Sequence, residues 1–223
     1  MSLEAKLDAW SDYLNPMLIK ELRQIFSNSA VIYGSLGLLI GNLVVFAWQL
    51  RNMTDVTTAY GPTFLRVSLW LLTGIASLSF GISFGWRYAA EVKSDAMKLI
   101  WLTSMDGKRL LHGKMLAALL GGILLLSMCL PSLFLSFFMR GVTLWDVLGG
   151  VLAYLFCFLF VTLCSMLLGG TRNWLVRCGL IWLLLQFVPI MAVSLFFVPP
   201  LAVLIIGIAG LVIPYMILLA MIK

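Results

Sequence analysis

Charged residues are scarce in this chain. Asp, Glu, Lys and Arg make up 11% of its 223 residues, against 62% in the set AVILMFWYC, and the mean hydropathy is +1.07. A soluble domain carries about 25% charged residues and roughly 45–50% apolar ones. With so little charge the chain has no means of covering a water-facing surface while burying this much hydrocarbon. A soluble globular domain is therefore excluded, and disorder requires the opposite balance. Histidine is nearly absent, with His112 alone. Metal-ligand spacings of Cys and His, an HExxH motif, a Ser/His/Asp set and an intramembrane carboxylate pair are missing. A membrane-embedded enzyme would have no acid, base or nucleophile cluster to work with. The four cysteines, Cys129, Cys157, Cys164 and Cys178, lie in or beside apolar runs without CxxC spacing, and buried thiols are expected. The opening MSLEAKLDAWSDYLNP lacks a basic region followed by an apolar one, so no cleavable signal peptide is expected and the first span should be permanent.

What is present is length in apolar runs. A bilayer core about 30 Å thick takes about 20 helical residues, and six blocks reach that length: 30–50, 64–86, 115–138, 147–169, 179–198 and 201–222. The predicted fold is all-α, a polytopic bundle of six spans (residues 30–223) behind an amino-terminal segment, 1–29. Arg66 is the one charge inside the blocks, near enough to an end for its head to reach the interface. The runs are apolar on every face rather than alternating, which excludes a transmembrane β-barrel. The bias of Lys and Arg sets orientation. With the amino terminus inside, twelve of them, from Lys6 to Lys223, fall on the cytoplasmic side and only Arg51, Arg66 and Arg140 outside. Both termini are expected in the cytoplasm. Trp48, Trp86, Trp145 and Trp174 fall at or near span ends, as an interfacial aromatic belt would place them. Pro199-Pro200 must form the whole turn between the last two blocks, as a tight hairpin or as part of a re-entrant segment. Pro131, Pro189 and Pro214 fall inside blocks and are expected to kink or break them locally.

The net charge of +6 forms no basic stripe with interleaved aromatics, so no nucleic-acid partner is expected. Three non-spanning stretches are long enough for specific work. In Asn15–Asn28, Asn15 is a good N-cap and Pro16 suits a first helical position. Leu18, Leu22, Ile25 and Phe26 share one side at helical spacing, and Lys20, Glu21, Arg23 and Gln24 are assigned to the other. This amphipathic helix is too charged to span and should lie in the interface, as a generic anchor or as the elbow helix of a transporter. The second stretch, Arg87 to Lys114, is the most charged part of the chain. Within it Met97, Ile100 and Trp101 form an apolar stripe on a short helix starting near Ser94, which either lies on the membrane or docks a cytoplasmic protein. Gly107 to Met115 mimics a phosphate-binding loop but has five residues between its glycines and Met where Ser or Thr is required, so no nucleotide binding is assigned. His112 reads as a solvated loop residue. The third stretch, Arg51 to Thr63, carries a formal Asn52-Met-Thr54 sequon of no weight. Small residues recur within spans, with Gly37 and Gly41 in the first and Ser77, Gly81 and Gly85 in the second. Such faces allow close helix approach, inside the bundle or between two copies.

These residues together resemble a family. Asn15-Pro16-Met-Leu-Ile-Lys20-Glu21-Leu-Arg23 is similar to the NP-x-hydrophobic-x-KE-L-R opening of ABC-2-type ABC transporter permeases. In that family a Glu begins a cytoplasmic helix that runs through a Leu-rich stretch and a Thr-Pro-Leu-Ser turn to a Gly-Lys opening the third span. Glu91, Leu99, Ile100, Leu102, Thr103 and Gly113-Lys114 follow that order, with Ser104-Met105-Asp106 in place of Pro-Leu-Ser and Ala96 in place of a common Thr. The resemblance extends over nearly the whole chain. It implies a transmembrane subunit, two copies of which assemble with two ABC ATPase subunits, export being the commoner direction. Residues 91–105 would then be the coupling helix, with Glu91, Met97, Lys98, Ile100, Trp101 and Thr103 at the ATPase. The chain carries no Walker A motif, so ATP and Mg would belong to that partner and this chain would bind no cofactor. The resemblance also implies a bacterial cytoplasmic (inner) membrane as the location. A haem-exporter-type permease and a non-ABC membrane module, such as a substrate-capture subunit or scaffold, are the alternatives. The absence of acidic residues in the spans weighs against ion-coupled transport.

Overall fold

The computed structural model describes residues 16–52, 59–93, 107–171 and 200–222, all in helices apart from short connections. In chain order these are α1 (Pro16–Phe26), α2 (Ser29–Asn52), α3 (Gly61–Ala76), a π-helical turn over Ser77–Gly81, α4 (Ile82–Lys93), α5 (Gly107–Phe138), α6 (Leu144–Gly170) and α7 (Pro200–Ile222). No strand occurs among the described residues. Four stretches, Ser29–Asn52, Gly61–Glu91, Leu111–Phe138 and Leu144–Gly170, are long and apolar enough to cross a membrane. They overlap the first four predicted blocks. α7 occupies the sixth, and the fifth (179–198) lies outside the described residues.

Helix ends differ from the predicted ones in one consistent way. α5 starts at Gly107 rather than 115, and the helix begun at Gly61 continues through Trp86 to Lys93. Hydropathy marks only the part of a helix that hydrocarbon solvates, whereas backbone hydrogen bonds continue wherever propensity permits, and Lys, Arg and Leu are good helix formers. The expected loop from Arg87 to Lys114 is thus helical at both ends. His112 accordingly stands on α5, not in a loop, with its Nε2 3.1 Å from the Tyr215 hydroxyl of α7. The imitation of a phosphate-binding loop is part of α5 as well. Both α5 and α7 run on through their internal prolines, Pro131 and Pro214.

The bundle reverses the usual partition of a soluble protein. Ile32, Tyr33, Leu36, Ile40, Leu43, Val44 and Trp48 of α2 are exposed, as are Phe134 and Phe138 of α5. Ser68, Thr73, Ser136, Thr162 and Lys114 are buried. Exposed apolar surface of this extent is unfavourable in water, and no such cost arises in hydrocarbon, where polar groups instead turn inward. These apolar helices are compatible with an integral membrane protein. α6 is the best covered of the four long stretches, with 67% of its most apolar window buried, and α2 the least, at 11%. Near the centre, α6 meets α5 and the π-helical turn. There Tyr154 donates to the Gly122 carbonyl at 2.9 Å and stacks on Phe158, while Phe80 meets Phe158 edge-on.

Two devices fix the end where α3, α5 and α6 turn. Thr143 caps α6 reciprocally: its hydroxyl accepts from the Asp146 amide at 3.3 Å, and Asp146 Oδ2 accepts from the Thr143 amide at 2.8 Å. This is the T-x-x-D form of a capping box. The α5–α6 turn passes through Arg140 and Gly141 at φ 62 and 81, the left-handed region that ends many helices. The carbonyls of Met139 and Arg140 accept from the Gly61 amide at 3.2 and 3.1 Å, fastening the start of α3 to this turn.

Candidate functional site: an ion network at one end of the bundle

α1 is an 11-residue helix. Leu18 and Ile25 are buried, as the apolar stripe predicts, and Lys20 and Arg23 are exposed. Glu21 departs from the expectation. The sequence reading assigned it to the polar side, yet its side chain is only 1% exposed. The reason is helical geometry: position 21 is three residues after Leu18 and four before Ile25, so it belongs to the apolar stripe. That placement was the available sequence signal, since a carboxylate on a buried face requires a cation.

The cation is Lys114 of α5. Its ammonium is 2% exposed, bonds Glu21 Oε1 and lies 2.7 Å from Glu91 Oε2. The other oxygen of Glu91 accepts from Lys20 at 3.3 Å. Two carboxylates and two ammonium groups thus alternate in a chain, Lys20–Glu91–Lys114–Glu21, that joins α1, α4 and α5. The partners are 71 and 93 residues apart in sequence. Arg87, one turn before Glu91, donates to the Gln24 carbonyl at 3.1 Å and ties α4 to α1 a second time. Glu21 Oε2 is buried without a hydrogen-bond partner among the described residues.

Such a network binds elements together more than it stabilises the fold. Desolvating each ion costs several kcal/mol, and mutual attraction roughly offsets this when the geometry is good. The outcome is specificity: α1 docks in one register, because sliding it by a turn would take the buried Glu21 away from Lys114, which keeps Glu91. Chemically the site can hold three helices as one body. Among the described residues no group of three or more His, Cys, Asp or Glu is placed to hold a metal ion.

The remaining predicted positions divide clearly. Asn15, Met97, Lys98, Ile100, Trp101 and Thr103 lie outside the described residues, and Pro16 opens α1. Gly81 and Gly85 face α6. A Cβ on Gly81 would stand 2.8 Å from Val161 Cγ1, and one on Gly85 2.7 Å from the carbonyl carbon of Ser165. Gly41 lies against Leu71 and Gly37 near Ile75, both across the α2–α3 contact. Ser77 begins the π turn, its hydroxyl buried without a partner among the described residues. Sequence spacing did not reveal Gly34, which packs on Ser79, or Gly169, which packs on Ala89. Their partners lie on other helices, beyond the reach of a local pattern.

Fold and site together define an all-helical protein whose long apolar helices are drawn together at one end by a buried ion network. The chain matches no protein-family model, no curated protein and no solved structure.

Proposed function

We propose that this chain is the transmembrane subunit of an ATP-driven exporter of the ABC-2 type. It resides in a bacterial cytoplasmic membrane, with both termini and the ion network on the cytoplasmic side, and works with a separate ABC ATPase and a second permease copy. One observation carries the reading. Lys20 and Glu21 belong to the amino-terminal motif of the resemblance, Glu91 opens the loop motif, and Lys114 belongs to the Gly-Lys that closes it. These four residues, distant in sequence, meet in one ion network. Residues whose pattern suggested a single machine are also physically joined.

The reading gives the network a task. Residues 94–106 connect α4 to α5 in sequence and carry the apolar stripe with Trp101. A push on that segment reaches α4 and α5 directly and α1 through Glu91, Lys114 and Glu21. The three helices then move as a unit against the rest of the bundle. ATP binding and hydrolysis, with Mg, belong to the partner. The test is co-purification from membranes of the native host. An ABC ATPase should be recovered with the wild-type chain, and Trp101→Glu should abolish that recovery while membrane insertion persists. Absence of an ATPase from the wild-type sample, or its undiminished recovery with the variant, would overturn the proposal.

A further inference from the structure

The helix that begins at Gly61 and ends at Lys93 is interrupted by the π-helical turn Ser77–Gly81. Uncharged residues run from 67 to 86, about 30 Å at 1.5 Å per residue, which is the thickness of a hydrocarbon core. The turn starts at the midpoint of that stretch.

Two observations place one residue in excess at this turn. Along α6, Leu69 meets Gly150, Gly81 meets Val161, Gly85 meets Ser165 and Ala89 meets Gly169. Leu69 to Gly81 is twelve residues where Gly150 to Val161 is eleven, and each later step is four residues on both helices. Burial agrees. Buried positions on α3 recur at 61, 64, 65, 68, 69, 72, 73 and 76, and the same spacing carried onward would bury 83 and 87. Phe84, Gly85 and Tyr88 are buried instead, one residue later, and Ser83 and Arg87 are only partly covered. A one-residue slip turns an α-helix by about 100°. The π turn absorbs it, so α3 and α4 both present their buried stripes to α6.

The two halves are fastened to different parts of the molecule. The Gly61 amide donates to the carbonyls of Met139 and Arg140 in the α5–α6 turn. At the far end Glu91 binds Lys114, and Arg87 binds the Gln24 carbonyl. Between these points hydroxyls engage the backbone. Thr73 donates to the Leu69 carbonyl at 2.8 Å, Ser79 to Ile75 at 2.6 Å and Ser83 to Phe80 at 2.9 Å. Such bonds supply carbonyls where a membrane helix departs from α geometry, and they bend helices. The turn also has an anchored side chain: Phe80 is fully buried, meets Phe158 edge-on and lies over Gly121. Single π turns within α-helices frequently mark functional positions.

We propose that the π turn is a mid-membrane joint, pivoting on Phe80, that lets α4 tilt relative to α3. The ion network follows α4, while α3 stays with the α5–α6 turn. A helix with one residue fewer would keep the same register on α6 and lose the joint. The inference concerns the chain alone in a bilayer and is independent of any ATPase.

Deletion of Leu78, which lies in the turn and is 67% exposed, tests both parts. It should close the turn to an α-helix in the same register on α6, and the full chain in nanodiscs should melt no lower than the wild type. Deletion of Ile123, 43% exposed in the middle of α5, is the comparison. It turns the buried Leu125, Cys129 and Leu133 away from their partners and should lower the melting temperature by roughly 10 °C or more. Motion is read by fluorine NMR of 4-trifluoromethylphenylalanine placed at Trp86 on α4 or at Trp70 on α3. Relaxation dispersion, which reports motion on the microsecond to millisecond scale, should appear at position 86 and not at position 70 of the wild type. Deletion of Leu78 should abolish it. A Leu78 deletion that melts below the wild type, or an Ile123 deletion that melts with it, would overturn the assignment of an extra residue. No dispersion at position 86 of the wild type, equal dispersion at position 70, or dispersion that survives the Leu78 deletion would overturn the joint.

Discussion

Replacing Lys114 by Met removes the cation at the centre of the ion network while keeping the length and apolar stem of the side chain. Glu91 retains Lys20 at 3.3 Å and is itself 19% exposed, so it is partly compensated. Glu21 retains no partner among the described residues: its side chain is 1% exposed and is held by Lys114. Leaving a buried charge unpaired costs about 3–5 kcal/mol. At about 2–4 °C per kcal/mol for a chain of this size, Lys114→Met should lower the melting temperature by roughly 6–20 °C. Tryptophan fluorescence of the protein in nanodiscs reads this directly. If undocking α1 is cheaper than holding the charge, the loss is smaller but trypsin cleavage after Lys20 and Arg23 accelerates. The decisive variant is the double replacement Glu21→Leu with Lys114→Met. It removes both ions and substitutes packing, and such exchanges are often neutral or stabilising. The double variant should therefore melt well above the Lys114→Met single. Equal melting of the two, or a loss below about 1 kcal/mol in the single variant without added proteolysis, would refute the claim that Glu21 is a buried charge held by Lys114.

Gly85→Ala should destabilise by about 1–3 kcal/mol, because its methyl would be forced against the Ser165 backbone. Gly74→Ala, with nothing within 4 Å of the added carbon, should be neutral or slightly stabilising through helix propensity; thermal melts of both variants distinguish close approach from chance composition. Tyr154→Phe removes a buried hydrogen bond to Gly122 and should cost about 1–2 kcal/mol, again read by melting. Cysteines introduced at positions 20 and 98 should react with an impermeant maleimide from the cytoplasmic side, and one at position 55 from the outside. The buried thiols Cys129, Cys157 and Cys164 should stay silent until unfolding. The opposite labelling pattern would reverse the orientation.

The long apolar helices were legible because their signal is local and redundant. Twenty successive residues without charge report a solvent, and any one of them can change without altering the message. The ends were less legible for the same reason, since Gly107–Lys114 and Arg87–Lys93 continue the backbone pattern after the solvent signal has stopped. α1 was foreseen, and its register misjudged at one residue. Glu21 was sorted by its charge, when its position between Leu18 and Ile25 already placed it inward.

The sequence alone carries the signal for the environment of this protein. Composition and run length are compatible with an integral membrane protein and favour helices, because a segment in hydrocarbon has to satisfy its own backbone. Tertiary structure alone decides which of the few charges meet. Lys114 finds Glu21 across 93 residues and Glu91 across the intervening segment. Pairing of this kind depends on the crossing of whole helices, which no window of sequence contains. With charge so scarce, each buried ion has few partners available, so the fold that brings them together also fixes where α1 rests.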